Sequence, residues 1–249
     1  MRTSKSVKGI VYRIYNSSAS DKIINIIDIK GRKISILCKG VRKPNSKKAY
    51  SIDLGNLIQA NIVEGYSIPL LTEVKLANEF RNWKDDIKKI TVLQFMCEIV
   101  DKFAFDNNPD FELYQLFHDA LSTKTDRPLF AAAGFCLEVL KITGHLPDLE
   151  QSISTEDAIT PEGIYSIHGQ IGYISDQTND STYSTTDPVS INIYKTQKYI
   201  LNKGTLNALK INLSAEETEK MFRINSNWME LAIENKLKSK EILLKIINH

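Results

Sequence analysis

The hydrophobic pattern of this chain changes period once, near residue 79, and that single change limits what it can fold into. Before it, apolar and β-branched residues come in short runs bounded by turn residues, with no helical periodicity, which is the signature of strands. Residues 7–15 (Val-Lys-Gly-Ile-Val-Tyr-Arg-Ile-Tyr) begin the pattern, residues 22–29 continue it, and Gly31 supplies a tight turn into a third run at 33–39. Two further β runs fit residues 52–63 and 70–76, joined through Gly65–Pro69. Five short strands in about 75 residues, without helical periodicity between them, predict a small closed barrel of the five-stranded OB type.

Beyond residue 79 the period becomes 3.6. Phe80, Trp83, Ile87, Ile90, Leu93, Cys97, Val100 and Ala104 form one apolar helical stripe. Asn108-Pro109-Asp110 predicts a cap with proline at the first helical position, and Asp126 with Pro128 opens a third helix that Gly144 ends. The Ala131-Ala132-Ala133-Gly134 run lets another helix approach closely. From residue 147 to about 187 the chain is polar and broken by glycine and proline; residues 164–174 suit a hairpin, and residues 175–187 bury almost nothing and are expected to be a mobile loop. Helical signals resume near Asn202. Ser214 and Glu217 form a capping box opening a helix through Phe222, a further helix starts at Asn225 with Trp228, Leu231, Ala232 and Leu237 inward, and Ser239 caps the last. The fold class is therefore α+β: an N-terminal OB-fold barrel over residues 1–78, then a helical bundle domain over 79–249 with a loop-rich insertion at about 147–190.

Charge is distributed as unevenly as periodicity. The whole chain carries a formal net charge of +2, yet residues 1–48 hold 13 Lys or Arg against 2 Asp or Glu, leaving the remainder acidic. Residues 30–48 concentrate eight cations (Lys30, Arg32, Lys33, Lys39, Arg42, Lys43, Lys47, Lys48) with no carboxylate among them. A polyanion gives such clustering a purpose, because each neutralised phosphate releases condensed counterions; a solvated basic loop is the plainer reading. The three cysteines, Cys38, Cys97 and Cys136, lie far apart among apolar neighbours and read as reduced core thiols of a cytoplasmic protein. No apolar run approaches the ~20 residues of a membrane span, and the N-terminus lacks the apolar core of a signal peptide.

Several short motifs occur in an order that resembles the RecO family of recombination and repair mediators. Lys8-Gly9-Ile10-Val11-Tyr12-Arg13 is followed by Ser20-Asp21-Lys22-Ile23-Ile24, Gly31-Arg32-Lys33, then Lys39-Gly40-Val41-Arg42 with Ser46. Thr72 sits in a Leu-Thr pair before the barrel's end, Gly144-His145-Leu146-Pro147-Asp148-Leu149 is similar to that family's Gly-Tyr-Leu-Pro-Asp-Leu, and Lys236-Leu237-Lys238-Ser239 comes near the C-terminus. The resemblance spans nearly the whole chain. It implies an OB-fold with a helical domain that binds single- and double-stranded DNA, anneals complementary strands, and works with RecR and the tail of the single-strand-binding protein in loading RecA. Many relatives carry a four-cysteine zinc site just after the Leu-Pro-Asp-Leu motif. Here Gln151-Ser152-Ile153-Ser154 and Ile171-Gly172-Tyr173-Ile174 contain no cysteine, so a degenerate, metal-free form of that region is expected.

Catalytic signatures are missing: there is no phosphate-binding Gly-rich loop, nucleophile elbow or His-Glu-x-x-His zinc motif. His118, His145, His168 and His249 stand apart and read as packing or surface residues, and Asp85-Asp86 reads as a solvated helix face. The expectation is a protein that is not an enzyme and has no cofactor, metal, membrane or small-molecule substrate. Its DNA contacts would be Arg13, Lys30, Arg32, Lys33, Lys39, Gly40, Arg42, Lys43, Lys47 and Lys48, with glycine allowing close backbone approach. Tyr12, Tyr15 and Tyr50 are candidates for base stacking, strand packing being the competing role. A protein-interaction adaptor and an RNA-binding OB protein are the alternative readings of the same surface.

Overall fold

The computed structural model describes residues 3–65, 67–105, 108–154, 157–160, 163–175 and 186–247. The chain divides into two compact units, residues 1–124 with 241–249, and residues 125–240.

The first unit is built on a closed five-stranded barrel. Its strands are β1 (Ser4–Asn16), β2 (Lys22–Asp28), β3 (Lys33–Cys38), β4 (Leu57–Val63) and β5 (Leu70–Asn78), hydrogen-bonded in the order β1-β2-β3-β5-β4 with β4 returning to β1. β3 and β5 run parallel and every other pair is antiparallel, which is the OB-fold arrangement. β1 is long because it serves two neighbours, pairing β4 from Ser4 to Ile10 and β2 from Gly9 to Asn16, with a bulge between Val11 and Arg13. Gly9 is needed where the two ladders overlap: a Cβ there would lie 2.5 Å from the Ile27 carbonyl oxygen. Alternate residues (Val7, Val11, Ile24, Ile26, Ile36, Cys38, Ile58, Ala60, Ile62, Leu71) fill the interior, as the two-residue period requires. The α+β class with an OB barrel is thus as the patterning indicates.

The expected fourth strand starts later than its apolar run. Residues 40–52 instead form four successive turns, each closed by an amide bonding the carbonyl three residues back, and only Val41 and Ile52 enter the barrel core. After β5 a short 3₁₀ turn (Arg81–Trp83) precedes α1 (Ile87–Phe103). Asp86 accepts the Lys88 and Lys89 amides and caps α1, so the Asp85-Asp86 pair, exposed as expected, stands at the helix start, and the apolar stripe from Phe80 is divided there. α2 (Phe111–Ser122) is capped by Asp110, which places Pro109 before the cap and not at the first helical position.

The second unit opens with α3 (Pro128–Ile142), apolar on all sides and buried, and Gly144 follows it with φ of 73°. The expected hairpin exists: β6 (Ile164–Ile167) pairs β7 (Tyr173–Ser175), and β8 (Thr186–Pro188) adds a third strand to β6. Residues 176–185, the centre of the segment expected to be mobile, lie outside the described residues. α4 (Ile191–Lys203), capped by Ser190, begins eleven residues before the point where helical signals were expected to resume. The apolar positions of that segment are diluted by Asn192, Lys195, Gln197 and Lys198, and tertiary burial of Ile193, Tyr194 and Ile200 decides for helix. α5 (Thr205–Ala208) comes so close to α3 that a Cβ on Gly134 would lie 2.2 Å from the Thr205 hydroxyl, the close approach its Ala-Ala-Ala-Gly run allows. The capping box of Ser214 and Glu217 opens α6 (Ala215–Ala232), which is one continuous helix and not two; Leu231, expected inward, is exposed. α7 (Lys238–Ile247), which belongs to the first unit from residue 241 on, already includes Ser239, which therefore does not cap it.

The hairpin of β6 and β7 is tied to the helices around it by a chain of hydrogen bonds. The buried Tyr173 hydroxyl donates to Gln197 Oε1 (2.5 Å), Gln197 Nε2 donates to Asn225 Oδ1 (2.6 Å), and Asn225 Nδ2 reaches the Ala133 carbonyl (2.9 Å). The Tyr173 ring also meets Trp228 edge-on with centroids 5.0 Å apart. Among the described residues no group of three or more His, Cys, Asp or Glu is placed to bind a metal.

Candidate nucleic-acid interface

Strand register sets the outer face of the barrel. Ile24, Ile26, Ile34 and Ile36 point inward, so Ile23, Asn25 and Ile27 on β2 and Lys33, Ser35 and Leu37 on β3 point away from the interior; Asn25 and Ile27 are covered there, while Ile23, Lys33, Ser35 and Leu37 remain partly exposed. Across the β1–β2 ladder, Arg13 stands opposite Asn25 and Tyr15 opposite Ile23, extending that face onto β1. The cationic stretch flanks it at both ends of the β2–β3 hairpin, with Lys30 and Lys33 at its turn and Lys39 to Lys48 beyond its open end.

The ten expected contacts separate into two sets. Lys30, Lys39, Lys43 and Lys47 are exposed and Lys33 and Lys48 half-buried, and no side-chain ammonium of these six has an ion-pair or hydrogen-bond partner among the described residues. The others are engaged within the fold. Arg32 Nε donates to Asp28 Oδ2 (2.8 Å) while its Nη2 pairs with the same carboxylate, and Asp28 Oδ1 accepts the Lys30 and Arg32 amides (both 2.9 Å). Burial alone would raise the Asp28 carboxyl; the Arg32 guanidinium and these amides outweigh it and hold the pKa below the usual range. Arg32 is therefore chiefly a brace for the hairpin turn, whose Gly31 carbonyl also accepts the Asp110 amide at the start of α2 (3.0 Å). Arg13 pairs with Asp101 of α1 and lies over the Tyr15 ring, 4.5 Å from its centroid. Arg42 Nη1 donates to the Ser18 carbonyl (2.7 Å), and the Gly40 amide donates to Asp21 Oδ1 (2.8 Å).

The tyrosines separate too. Tyr12 is 2% exposed and packs in the core, which removes it from base stacking. Tyr15 is 37% and Tyr50 66% exposed, though the Tyr50 hydroxyl is tied to Glu79 Oε2 (2.9 Å). Reading the sequence overlooked the carboxylates that hold the arginines. Asp28 was legible, lying four residues before Arg32; Asp101 is 88 residues from Arg13, and only the fold joins them.

Fold and surface together define a class: a closed OB-fold barrel whose outer face is bordered by unpaired lysines, continued by a helical unit. The model of the family described as "Recombination protein O C terminal" matches residues 84–241. Similarity to individual proteins runs through the barrel as well. A DNA repair protein RecO from Symbiobacterium thermophilum is 26% identical over 245 residues, covering 96% of each chain. Those from Acetivibrio thermocellus (23%, covering 91% of this chain and 90% of the relative) and Clostridium perfringens (22%, 94% and 95%) are similar over the same extent. The chain belongs to the RecO family of DNA repair and recombination proteins. No helix among the described residues is long and apolar enough to cross a membrane.

Proposed function

We propose that this protein binds single- and double-stranded DNA through the barrel face and the lysines bordering it, and that it anneals complementary strands. The observation that carries this reading is the set of six lysines without acidic partners, held around one face of an OB barrel. In most folded surfaces lysines alternate with carboxylates; here the nearby carboxylates are occupied with arginines and backbone amides, which leaves the lysine charge for an outside polyanion. Annealing needs no bond chemistry. It needs cations that screen the repulsion between two strands without reading base edges, so phosphate contacts dominate and sequence preference is weak. Family membership supports the wider role: helping RecR load the RecA recombinase on DNA coated by single-strand-binding protein, without enzymatic activity, in the cytoplasm.

The test is fluorescence anisotropy of a labelled ~30-mer of thymidine, long enough to cover an OB site of roughly 4–16 nucleotides, titrated across salt. Each phosphate contact contributes about 0.7 to the log–log slope for single strands, so Lys39, Lys43, Lys47 and Lys48 changed together to alanine should flatten it by roughly 3. Absence of wild-type binding at low salt would favour a protein-docking adaptor, and clear preference for RNA of the same sequence would favour RNA as the ligand.

A further inference from the structure

The basic loop that follows β3 is a set conformation and not a tether, and one carboxylate sets where it starts. Residues 17–21 turn tightly, with the Ser17 and Ser18 amides both directed to the Asp21 carbonyl. That leaves the Asp21 side chain facing the beginning of the basic loop, where its Oδ1 accepts the Gly40 amide (2.8 Å) and the Ser20 hydroxyl (2.8 Å). Gly40 has φ of 66°, a conformation in which glycine is at ease, and this aims its amide at the carboxylate. Two further bonds follow the same seam: the Arg42 amide to the Ser20 carbonyl (3.0 Å) and its guanidinium to the Ser18 carbonyl. Val41, between them, is buried in the barrel core. From this anchored start the four linked turns carry Lys43, Lys47 and Lys48 outward.

We propose that Asp21 is a positioning residue for DNA binding: it fixes the start of residues 40–52, so that Lys39, Lys43, Lys47 and Lys48 are presented together before the strand arrives. This rests on the DNA reading above. It makes a prediction opposite in sign to plain electrostatics. A carboxylate beside a polyanion site repels phosphate, so its removal should tighten binding whichever residue replaces it. A positioning role instead separates two replacements that lose the same charge. Asp21→Asn keeps an oxygen acceptor for the Gly40 amide; Asp21→Ala does not.

The measurement is the salt-dependent affinity of wild type, Asp21→Asn and Asp21→Ala for the same ~30-mer of thymidine, a length that exceeds one OB site. Amide exchange at Gly40 is followed in each, with Tm recorded to establish folding. The expected result is that Asn binds as well as wild type or better, while Ala binds roughly ten-fold more weakly with a flatter slope, the loss expected for a hydrogen bond to a charged group. The Gly40 amide should be protected in the first two proteins and exchange rapidly in Ala alone. If Ala and Asn tighten alike, or Ala leaves both slope and protection unchanged, the inference is overturned while the DNA reading stands. If wild type itself does not bind at low salt, the DNA reading falls and this inference with it.

Discussion

Arg13 shows how a single side chain can be both present at an interface and withheld from it. Its guanidinium sits on the outer face of β1, stacked over Tyr15, yet the Asp101 carboxylate occupies it in the free protein. A phosphate approaching that face must displace or share the carboxylate. Asp101→Asn removes the competing charge and keeps the side chain's shape. It is expected to steepen the salt dependence of single-strand binding by up to about 0.7, one additional phosphate contact, and to tighten binding at low salt. An unchanged slope in the anisotropy titration would place Arg13 off the path of the strand. Sequence alone could nominate Arg13 by charge but could not reveal this engagement, because a cation's availability depends on partners that chain separation conceals. The same limit applies to Tyr12, whose β-strand pattern was plain while its burial depended on register.

At the scale of elements, the end of α6 depends on an acid held among lysines. Glu230 is 7% exposed; it accepts the Lys236 ammonium (3.0 Å), the Lys240 ammonium (2.9 Å) and the Leu237 amide (2.9 Å), joining the last turn of α6 to the start of α7. Burial pushes its carboxyl up, but the Lys240 contact and the others exceed that effect and the pKa lies below the usual glutamate value. A carboxyl depressed on folding contributes stability above its unfolded pKa of about 4.3, and the contribution is lost as pH falls through the folded value. Glu230→Gln is expected to cost on the order of 3 kcal/mol at pH 7, because Lys240 is then enclosed without a counter-charge. The gap between thermal melts of wild type and variant should narrow as pH falls below the unfolded value of about 4.3, and close only under the depressed folded value, where wild type also carries a neutral side chain. A gap independent of pH would show that packing, not charge, is what the substitution removes. The elements themselves were legible to different degrees. Strands of the barrel and the α6 capping box were evident because local pattern and tertiary role agree there. α4 was obscured because its buried face includes Thr196 and Gln197, polar residues whose burial is explained only by the Tyr173–Gln197–Asn225 chain.

For the molecule as a whole, neither the proposed DNA contacts nor the hydrogen-bonded β6–β7 region calls for a metal. Prolonged incubation with a chelator should leave Tm and thymidine-oligomer affinity unchanged; a fall in Tm of several degrees would reveal a structural ion. The order of barrel and helices was readable from one change of period, and the contrast between a basic N-terminal stretch and an acidic remainder from composition. What composition could not convey is that the arginines near the barrel face are engaged within the fold, while the side chains of the neighbouring lysines have no partner among the described residues. Guanidinium suits fixed, bidentate internal contacts, whereas a lysine ammonium on a flexible stem can follow a phosphate.

The three cysteines carry one more consequence. Cys38, Cys97 and Cys136 are all buried and unpaired, and burial pushes each thiol up, Cys38 to about 12. Peroxide reacts with the thiolate, so side chains held as neutral thiols inside a packed barrel and helical core offer it no foothold. The three thiols are therefore expected to stay reduced when the folded protein is exposed to peroxide, which a thiol titration after unfolding would check.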